Sequence, residues 1–482
     1  MKQYLGWIPP NAHKVLEFGC GSGDWGRIFK EVQPECIYVG VEGDQAAVKL
    51  ARQRLDIVID SRDAAHLAEV IFALAPFDCV IYHQAGLKNE FGMDVPLAPN
   101  GQVLLFAADS DENFPWRISN HEQRKNWDMV TLFSDPVCAF MRMIIPNSFY
   151  KTSPSVNITE MKLGNLLDPN SLPQGNPYVL IYQRFYSGSL AIAKSIYERL
   201  TSYGGVLIHE FDDWPEKWRD KYIGTKYYEF VGAHVVQTTT ESLGEYFRQF
   251  NPYVLVFPNE LCNLPPMRKK CVLTDKVYIF YGAVNRQEEW QRILPVIIEA
   301  IKIYGDKIYF NIVAERDFFE ALPTRNKKYY GEDINGGRFV PYEIYEEVLH
   351  ASDVALLPLL DTEFNRRKSD LKFIEAAAHG AVALASPTVY GNTIKDGETG
   401  FIYNNLREFR KKLFLLIENK PLREELAAGA YSYVKKNRLM CQHYEERLAV
   451  YKELLDRRPD LERERQARIA KLEEGRDSIA GL

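Results

Sequence analysis

Short β-branched runs alternate with amphipathic stretches along most of the chain, and the alternation falls into three series. In the first, Val15–Phe18, Tyr38–Val41, Cys79–Tyr82, Val103–Phe106, Val130–Phe133 and Ala139–Ile144 read as strands with helix-forming segments between them. The second carries Tyr178–Tyr182, Val206–Phe211, His234–Thr238 and Val254–Phe257. Between the last two, Leu243, Tyr246, Phe247 and Phe250 recur at the i, i+3, i+4, i+7 spacing of one helix face. The third runs through Val277–Tyr281, Ile308–Val313, Val354–Leu357, Val382–Ala385 and Phe401–Tyr403. Strands that alternate with helices build parallel sheets covered on both faces, so the pattern predicts an α/β protein of three doubly wound domains.

Breaks in the pattern place the boundaries. The polar stretch Pro146–Asn176 reads as the connection between the first two series, and Pro258–Lys270, with Pro265-Pro266, as an interdomain linker. The Arg/Glu-rich tail Arg457–Lys471 reads as a solvated helix. The expected domains are thus 1–146, 147–265 and 266–456, the last with a helix returning to the second domain, followed by a charged helical tail over 457–482.

At 482 residues the chain exceeds one ordinary core. Its 46% hydrophobic and 26% charged residues are those of a folded soluble protein, and a net charge of −6 without a basic stripe gives no reason to expect nucleic acid. Its 28 tyrosines suit either carbohydrate-facing surfaces or a tyrosine-rich core. The seven cysteines are scattered, with no pair at zinc or redox spacing, so reduced thiols in the cytoplasm are expected. The start, Met1–Trp7, has no apolar signal core, and runs such as Val354–Leu360 are too short to cross a bilayer. Any membrane contact is expected to be peripheral, at the inner face.

Val15-Leu16-Glu17-Phe18-Gly19-Cys20-Gly21-Ser22-Gly23 is a strand running into a glycine-rich turn. Glycines let the backbone turn tightly and approach a ligand where a side chain would clash. About twenty residues on, the strand Tyr38–Val41 ends in Glu42, placed to accept hydrogen bonds from ribose hydroxyls. The E-x-G-x-G-x-G form resembles the Rossmann-like S-adenosylmethionine-dependent methyltransferases over roughly residues 1–145. The resemblance implies S-adenosylmethionine as cofactor, with Glu17 orienting its methionine part and Gly19, Gly21 and Gly23 lining it. Glu42 would hold the ribose, and Asp60 or Asp63 would lie near the adenine. The fourth strand leads into Tyr82-His83-Gln84-Ala85-Gly86, unlike the Asn-Pro-Pro-Tyr motif of amino-methylating members, which leaves the methyl acceptor open. His83 reads as a general base or as a structural histidine, and the whole domain as a methyltransferase or as a docking module that keeps the fold.

Chemistry-bearing residues are densest between Asn365 and Asn404. Asp370–His379 reads as a short helix ended by Gly380, which suits the left-handed position after a helix. A helix N-terminus offers unpaired N–H groups and a positive dipole end, a cradle for a diphosphate. Arg366, Arg367 and Lys368 stand just ahead of it to neutralise the same phosphates. The run Phe373-Ile374-Glu375-Ala376-Ala377-Ala378-His379-Gly380-Ala381-Val382, followed by Asp396-Gly397-Glu398-Thr399-Gly400, resembles the donor-site signature of retaining GT-B glycosyltransferases of family 4 (group 1). Asp353–Leu359 fits the strand before it, and the resemblance spans about residues 150–455.

That resemblance implies transfer of a sugar from a nucleotide-sugar donor with retention of configuration, by two facing Rossmann-like halves. Glu375 would bind the nucleotide ribose, Gly391 or Asn392 would lie near the sugar-diphosphate, and Arg286 would bind the diphosphate, with Arg292 nearest to the family's second basic residue. The family pairs two acids as E-x7-E, but Arg367 stands eight positions before Glu375, which leaves the donor sugar open.

In the acceptor half, Gln183-Arg184 follow one strand and His209-Glu210-Phe211-Asp212-Asp213 end the next. The carboxyl ends of parallel strands face the ligand crevice, so His209, Asp212 and Asp213 are candidates for positioning or deprotonating an acceptor hydroxyl. Asp212-Asp213 also reads as a helix N-cap pair ahead of Trp214-Pro215-Glu216. The GT-B architecture normally needs no metal, and none is expected. The expected partners are a nucleotide-sugar and a glycan, lipid-linked or protein acceptor. Two other readings remain: a non-catalytic scaffold, which Arg367 favours, and a methyltransferase with a carbohydrate-recognising GT-B appendage.

Overall fold

The computed structural model describes residues 12–62, 73–83, 95–105, 127–133, 139–153, 155–162, 176–202, 204–267, 276–331 and 340–475, with residues 8, 67, 70, 71, 116, 117, 172 and 173. Asp63, Gln84, Ala85, Gly86 and Phe106 lie outside the described residues. The chain divides into two compact units, Met1–Pro258 with Met440–Leu482, and Asn259–Leu439.

The first unit holds two sheets. In one, β1 (Lys14–Phe18), β2 (Ile37–Glu42), β3 (Ile57–Asp60), β4 (Phe77–Tyr82), β5 (Leu97–Leu105) and β6 (Trp116–Arg117) lie in the order β3-β2-β1-β4-β5-β6. Every pairing is parallel except β5 with β6. In this doubly wound order the direction of growth reverses between β1 and β4, which opens a ligand crevice beyond their carboxyl ends. Strands covered on both faces need continuous apolar runs, which Leu16, Phe18, Val39, Val41, Val80 and Tyr82 supply.

The other sheet is parallel throughout, β7 (Trp127–Phe133), β8 (Val156–Lys162), β9 (Tyr178–Gln183), β10 (Val206–Glu210), β11 (Val235–Thr238) and β12 (Val254–Val256) lying in the order β12-β11-β10-β9-β7-β8. Here the expectations from sequence are corrected. Val130–Phe133 belongs to this sheet, with Thr131 opposite Ile181 and Glu160, so the first sheet closes before Trp127 and not at residue 146. Ala139–Ile144 is no strand: a π-helical turn, Phe140–Ile144, leads into the buried helix Ile145–Tyr150. A short apolar run cannot be told from a buried helix by its periodicity. Helical geometry suits Arg142, which needs buried acceptors and finds them in Glu210 and the Phe257 and Thr238 carbonyls. The stretch expected as a connection supplies most of that helix and all of β8.

The tail was expected to be solvated. Instead Arg458–Glu473 is a helix that packs on the first unit through Leu461, Ile469 and Leu472. Between them Arg465, only 1% exposed, holds Glu462 through Nε (2.9 Å) and Nη2 (2.8 Å) and reaches the Gly232 carbonyl and the Thr201 hydroxyl. Abundant charge hid a narrow apolar stripe of helical period.

The second unit is built on β13 (Val277–Gly282), β14 (Ile308–Val313), β15 (Lys327–Tyr330), β16 (Val354–Leu357), β17 (Val382–Ala385) and β18 (Phe401–Ile402), parallel in the order β15-β14-β13-β16-β17-β18. The sequence of reversals repeats that of the first sheet, with the switch between β13 and β16. The protein is thus an α/β chain of three Rossmann-like sheets. No helix among the described residues is long and apolar enough to cross a membrane.

Candidate functional site

Two residues bracket the switch point of the second unit. Arg286 follows β13, after Asn285 takes a left-handed backbone (φ 57°), and it leads into the helix Gln287–Tyr304. Asn365 follows β16 in the short helix Glu363–Arg366, where the Thr362 hydroxyl caps its N–H at 3.1 Å. Arg286 Nη1 donates to Asn365 Oδ1 at 2.7 Å and to Glu289 Oε1 at 3.0 Å. Asn365 Nδ2 donates in turn to Glu289 Oε1 (3.1 Å) and the Leu360 carbonyl (3.0 Å). The other edge of the guanidinium, Nε and Nη2, has no hydrogen-bond partner among the described residues, and the side chain is 21% exposed. Nη1 is held by the fold, and the Nε/Nη2 edge keeps its two donors without a partner among the described residues, a pairing that suits bidentate recognition of a phosphate or carboxylate.

Glu375, on the helix Leu371–Ala378, is buried and accepts the hydroxyls of Tyr342 (3.1 Å) and Tyr345 (2.9 Å). Lys372 Nζ stands 3.7 Å from Oε2, and a carboxylate has about four acceptor positions, so the two hydroxyls leave acceptor capacity on Glu375. Asp370, before the same helix, takes Arg438 fork to fork (2.6 and 2.8 Å) and the Thr393 hydroxyl (2.8 Å). Burial opposes the Asp370 charge, but Arg438 prevails and holds the carboxyl below its ordinary range. The Thr393 bond also ties down the exposed turn of Gly391 and Asn392. Burial pushes the Tyr390 hydroxyl up.

The basic run ahead of the helix does not behave as expected. Arg366 is 58% exposed and closes fork to fork on Asp361 (2.6 and 2.8 Å). Arg367 pairs with Glu363 at 3.0 Å, and Lys368 lies over the Phe364 ring at 4.2 Å, so the loop's own groups engage all three. Arg292 is exposed on its helix. The Asp396–Gly400 stretch is a turn in which Asp396 accepts the Ile402 N–H (2.9 Å) and pairs with Lys412 (2.7 Å), while Gly397 takes φ 82°. Asn365, Glu289, Tyr342, Tyr345, Tyr390 and Arg438 went unnoticed in the sequence. Only the i, i+3 spacing of Tyr342 and Tyr345 on one helix offered a local sign.

At the second sheet of the first unit, His209 is removed from the candidates. It is fully buried, stacked between Tyr182 (4.7 Å between centroids) and Phe230 (4.8 Å), with Nδ1 3.0 Å from the Glu229 carbonyl. Burial pushes its pKa down to about 3, so it stays neutral and out of reach of any solute. Its neighbour Glu210 is equally buried and pairs with Arg142 at 2.7 Å; burial pushes this carboxyl up to about 7 against the pull of Arg142. Beyond the strand, Asp212 accepts from Arg184 Nε at 2.7 Å, and Asp213 accepts the Trp214 N–H at 2.9 Å, a local turn bond. Of the three, Asp212 and Asp213 stand at the strand end, both already engaged.

At the first sheet, Gly19, Gly21 and Gly23 all take left-handed backbones (φ 73°, 54° and 75°), which only glycine adopts freely. A Cβ added at Gly21 would meet no atom within 4 Å, so open space lies over the turn. Glu42 faces that turn, but its oxygens accept the N–H groups of Gly21 (2.8 Å), Gly43 (2.8 Å) and Asp44 (2.9 Å). Glu17 is fully buried and engages the His83 ring through Oε1. Asp60 is clasped by Arg62, first through side-chain hydrogen bonds (2.9 and 2.6 Å), which hold its carboxyl well below the ordinary range.

Residues 294–451 match the family model described as glycosyl transferase-like, a span that takes in Asn365, Asp370, Glu375 and Arg438. No curated protein matches the chain. Among solved structures, it is similar to a variant of TarM from S. aureus in complex with fondaparinux, alpha-GlcNAc-glycerol and UDP, at 12% identity and TM-score 0.42, over 57% of this chain and 55% of that one. This match therefore spans little more than half of the TarM chain. Sucrose-phosphate synthase from Thermosynechococcus elongatus is similar at 12% identity and TM-score 0.44, over 92% of this chain and 99% of its own. Anabaena HepE in complex with UDP and glucose gives 11% and 0.36, over 92% and 100%. Identities this low, with TM-scores under 0.5, mark distant likenesses. The class that stands is an α/β protein with a glycosyl transferase-like C-terminal segment.

Proposed function

We propose that the chain is a glycosyltransferase of the GT-B, family 4 kind, and that its Asn259–Leu439 unit holds the nucleotide-sugar donor. The observation that carries this reading is the Nε/Nη2 edge of Arg286, without a hydrogen-bond partner among the described residues. Its guanidinium is fixed at a strand-order switch point in a unit whose sequence is mostly glycosyl transferase-like. Nε and Nη2 of Arg286 take the donor diphosphate. Glu375 spends its remaining acceptor positions on the ribose hydroxyls, and the turn of Gly391 and Asn392 lies against the sugar-diphosphate. As the bond to the anomeric carbon breaks, negative charge grows on the leaving diphosphate, where a guanidinium fixed beforehand stabilises it without reorganising. Transfer proceeds with retention, in the cytoplasm, to a glycan, lipid-linked or protein hydroxyl, and Asp212 and Asp213 serve the acceptor. Calorimetry of the full chain with UDP, GDP, ADP and dTDP, followed by hydrolysis of the matching nucleotide sugars, tests the reading. Failure of all four diphosphates to bind a folded chain overturns it.

The first sheet favours a second ligand, S-adenosylmethionine, because open space lies over the left-handed Gly21. Gly19, Gly21 and Gly23 would line it, and the acceptor position left on Glu42 would take one ribose hydroxyl. Bound there, it would supply an electrophilic methyl group. Binding of S-adenosylhomocysteine to the full chain, unaffected by nucleoside diphosphate, is the expected result; no binding returns this domain to a docking role.

A further inference from the structure

We infer that Asn365 is a positioning residue of the donor site, which aims the guanidinium of Arg286 at the diphosphate with Glu289 as a second anchor. The inference rests on the nucleotide-sugar reading above. It begins from the amide itself, which is 2% exposed and has its neighbours decided by chemistry. On one side stand Glu289 Oε1 and the Leu360 carbonyl, both acceptors only; on the other stands Arg286 Nη1, a donor only. Only one orientation of the amide satisfies all three, with Nδ2 toward the oxygens and Oδ1 toward the guanidinium. The opposite orientation would set donor against donor and acceptor against acceptor. Asn365 is itself held by the Thr362 cap, and the Arg286 backbone by its N–H bond to Glu315 Oε2 (3.3 Å).

This arrangement assigns a distinct task to each group. Glu289 offsets much of the positive charge of Arg286, so the site does not offer a loose cation. It offers a two-pronged edge held in one direction before any ligand arrives, and pre-organisation of this kind is what an arginine fork contributes beyond charge. The neighbours of Asn365 sharpen the point. Arg366 and Arg367 turn to Asp361 and Glu363, while the uncharged residue of the run is the one that meets Arg286.

The test uses the full chain and two ligands, the nucleoside diphosphate that binds wild type and its parent nucleoside. Asn365→Ala is expected to weaken the diphosphate about tenfold and to leave the nucleoside unchanged, the size of one lost charge-assisted hydrogen bond. Asn365→Asp keeps the shape and exchanges only the Nδ2 donor for an oxygen, and circular dichroism and a thermal melt on both variants check that they fold. The second oxygen of the new carboxylate would repel Glu289 and turn to the guanidinium, closing the edge the ligand needs, so a similar selective loss is expected. Equal losses for nucleoside and diphosphate would assign Asn365 a structural role and overturn the inference. Wild-type affinity in both variants, with the diphosphate lost in Arg286→Ala, overturns it too and leaves the donor reading standing. If wild type binds no nucleoside diphosphate, the donor reading itself has failed.

Discussion

On the proposed donor reading two arginines are candidates for the diphosphate, and their partners in the fold give them different expected weights. By sequence Arg367 stands where the family carries an acid, next to a helix N-terminus, and invites a role in stabilising the leaving group. Its partner in the fold is Glu363, whose side chain is 61% exposed. Arg367 itself is only 18% exposed, but its carboxylate partner is solvated. Its Nη1 also donates to the Glu363 carbonyl (3.0 Å), so both contacts lie within its own turn. A pair with one solvated partner is worth about 1 kcal/mol, and Arg367→Ala should change donor affinity and turnover by no more than about fivefold. Arg286 has two donors, Nε and Nη2, without a partner among the described residues. Two charge-assisted bonds at ~1.5–3 kcal/mol each set an upper bound of about 3–6 kcal/mol, and the adjacent Glu289 carboxylate with 21% exposure brings the expected loss below that range, to about 2–3 kcal/mol in all. At 1.4 kcal/mol per decade, Arg286→Ala should weaken nucleoside diphosphate binding by about 30- to 100-fold. Calorimetry on the two variants, with circular dichroism to check the fold, decides the ranking. A larger loss in Arg367→Ala than in Arg286→Ala would refute the reasoning, because it would require Arg367 to leave Glu363 and Arg286 to be a bystander.

Three further outcomes follow from the same contacts. Glu375→Ala should weaken nucleoside diphosphate binding by about tenfold or more, through loss of the ribose acceptor and release of Tyr342 and Tyr345; unchanged affinity in a folded variant would remove Glu375 from the site. Arg465→Ala should destabilise the first unit by roughly 3 kcal/mol in urea titrations, because a buried fork loses Glu462, Gly232 and Thr201 together, and a wild-type midpoint would return the last helix to solvent. His209 has a folded pKa of about 3 against an ordinary 6.5, so its contribution is complete above pH 6.5 and is lost as the pH falls from there through 3, at ~1.4 kcal/mol per unit. His209→Phe should flatten that acid limb, although His234, also lowered by burial, keeps part of it; an identical slope between about pH 6 and 4 would contradict the core placement.

How far the chain could be read depended on whether a feature was local. Five of the six strands of the third sheet were legible, because parallel strands between helices are mostly continuous apolar runs; the edge strand β15, Lys327-Lys328-Tyr329-Tyr330, was missed because its half-exposed polar residues carry no such run. The left-handed turn of Gly19, Gly21 and Gly23 was legible because it belongs to a contiguous motif. Arg142 was not: its helix looked like one more strand because the group that makes a buried arginine tolerable, Glu210, lies 68 residues away. The tail failed in the opposite sense, since counting charges along Arg457–Lys471 conceals that Leu461, Ile469 and Leu472 fall on one face and that Arg465 is an inward-facing cation. Asn365 shows most plainly where a linear reading stops. Charge made Arg366, Arg367 and Lys368 conspicuous, yet a charge beside an acid on its own turn is already satisfied. The neutral amide next to them meets Arg286 across 79 residues, and its value lies in having a donor and an acceptor on opposite sides. Sequence shows which groups are strong; which of them stay unspent is decided by partners brought from other elements, and it is the unspent edge that a ligand can use.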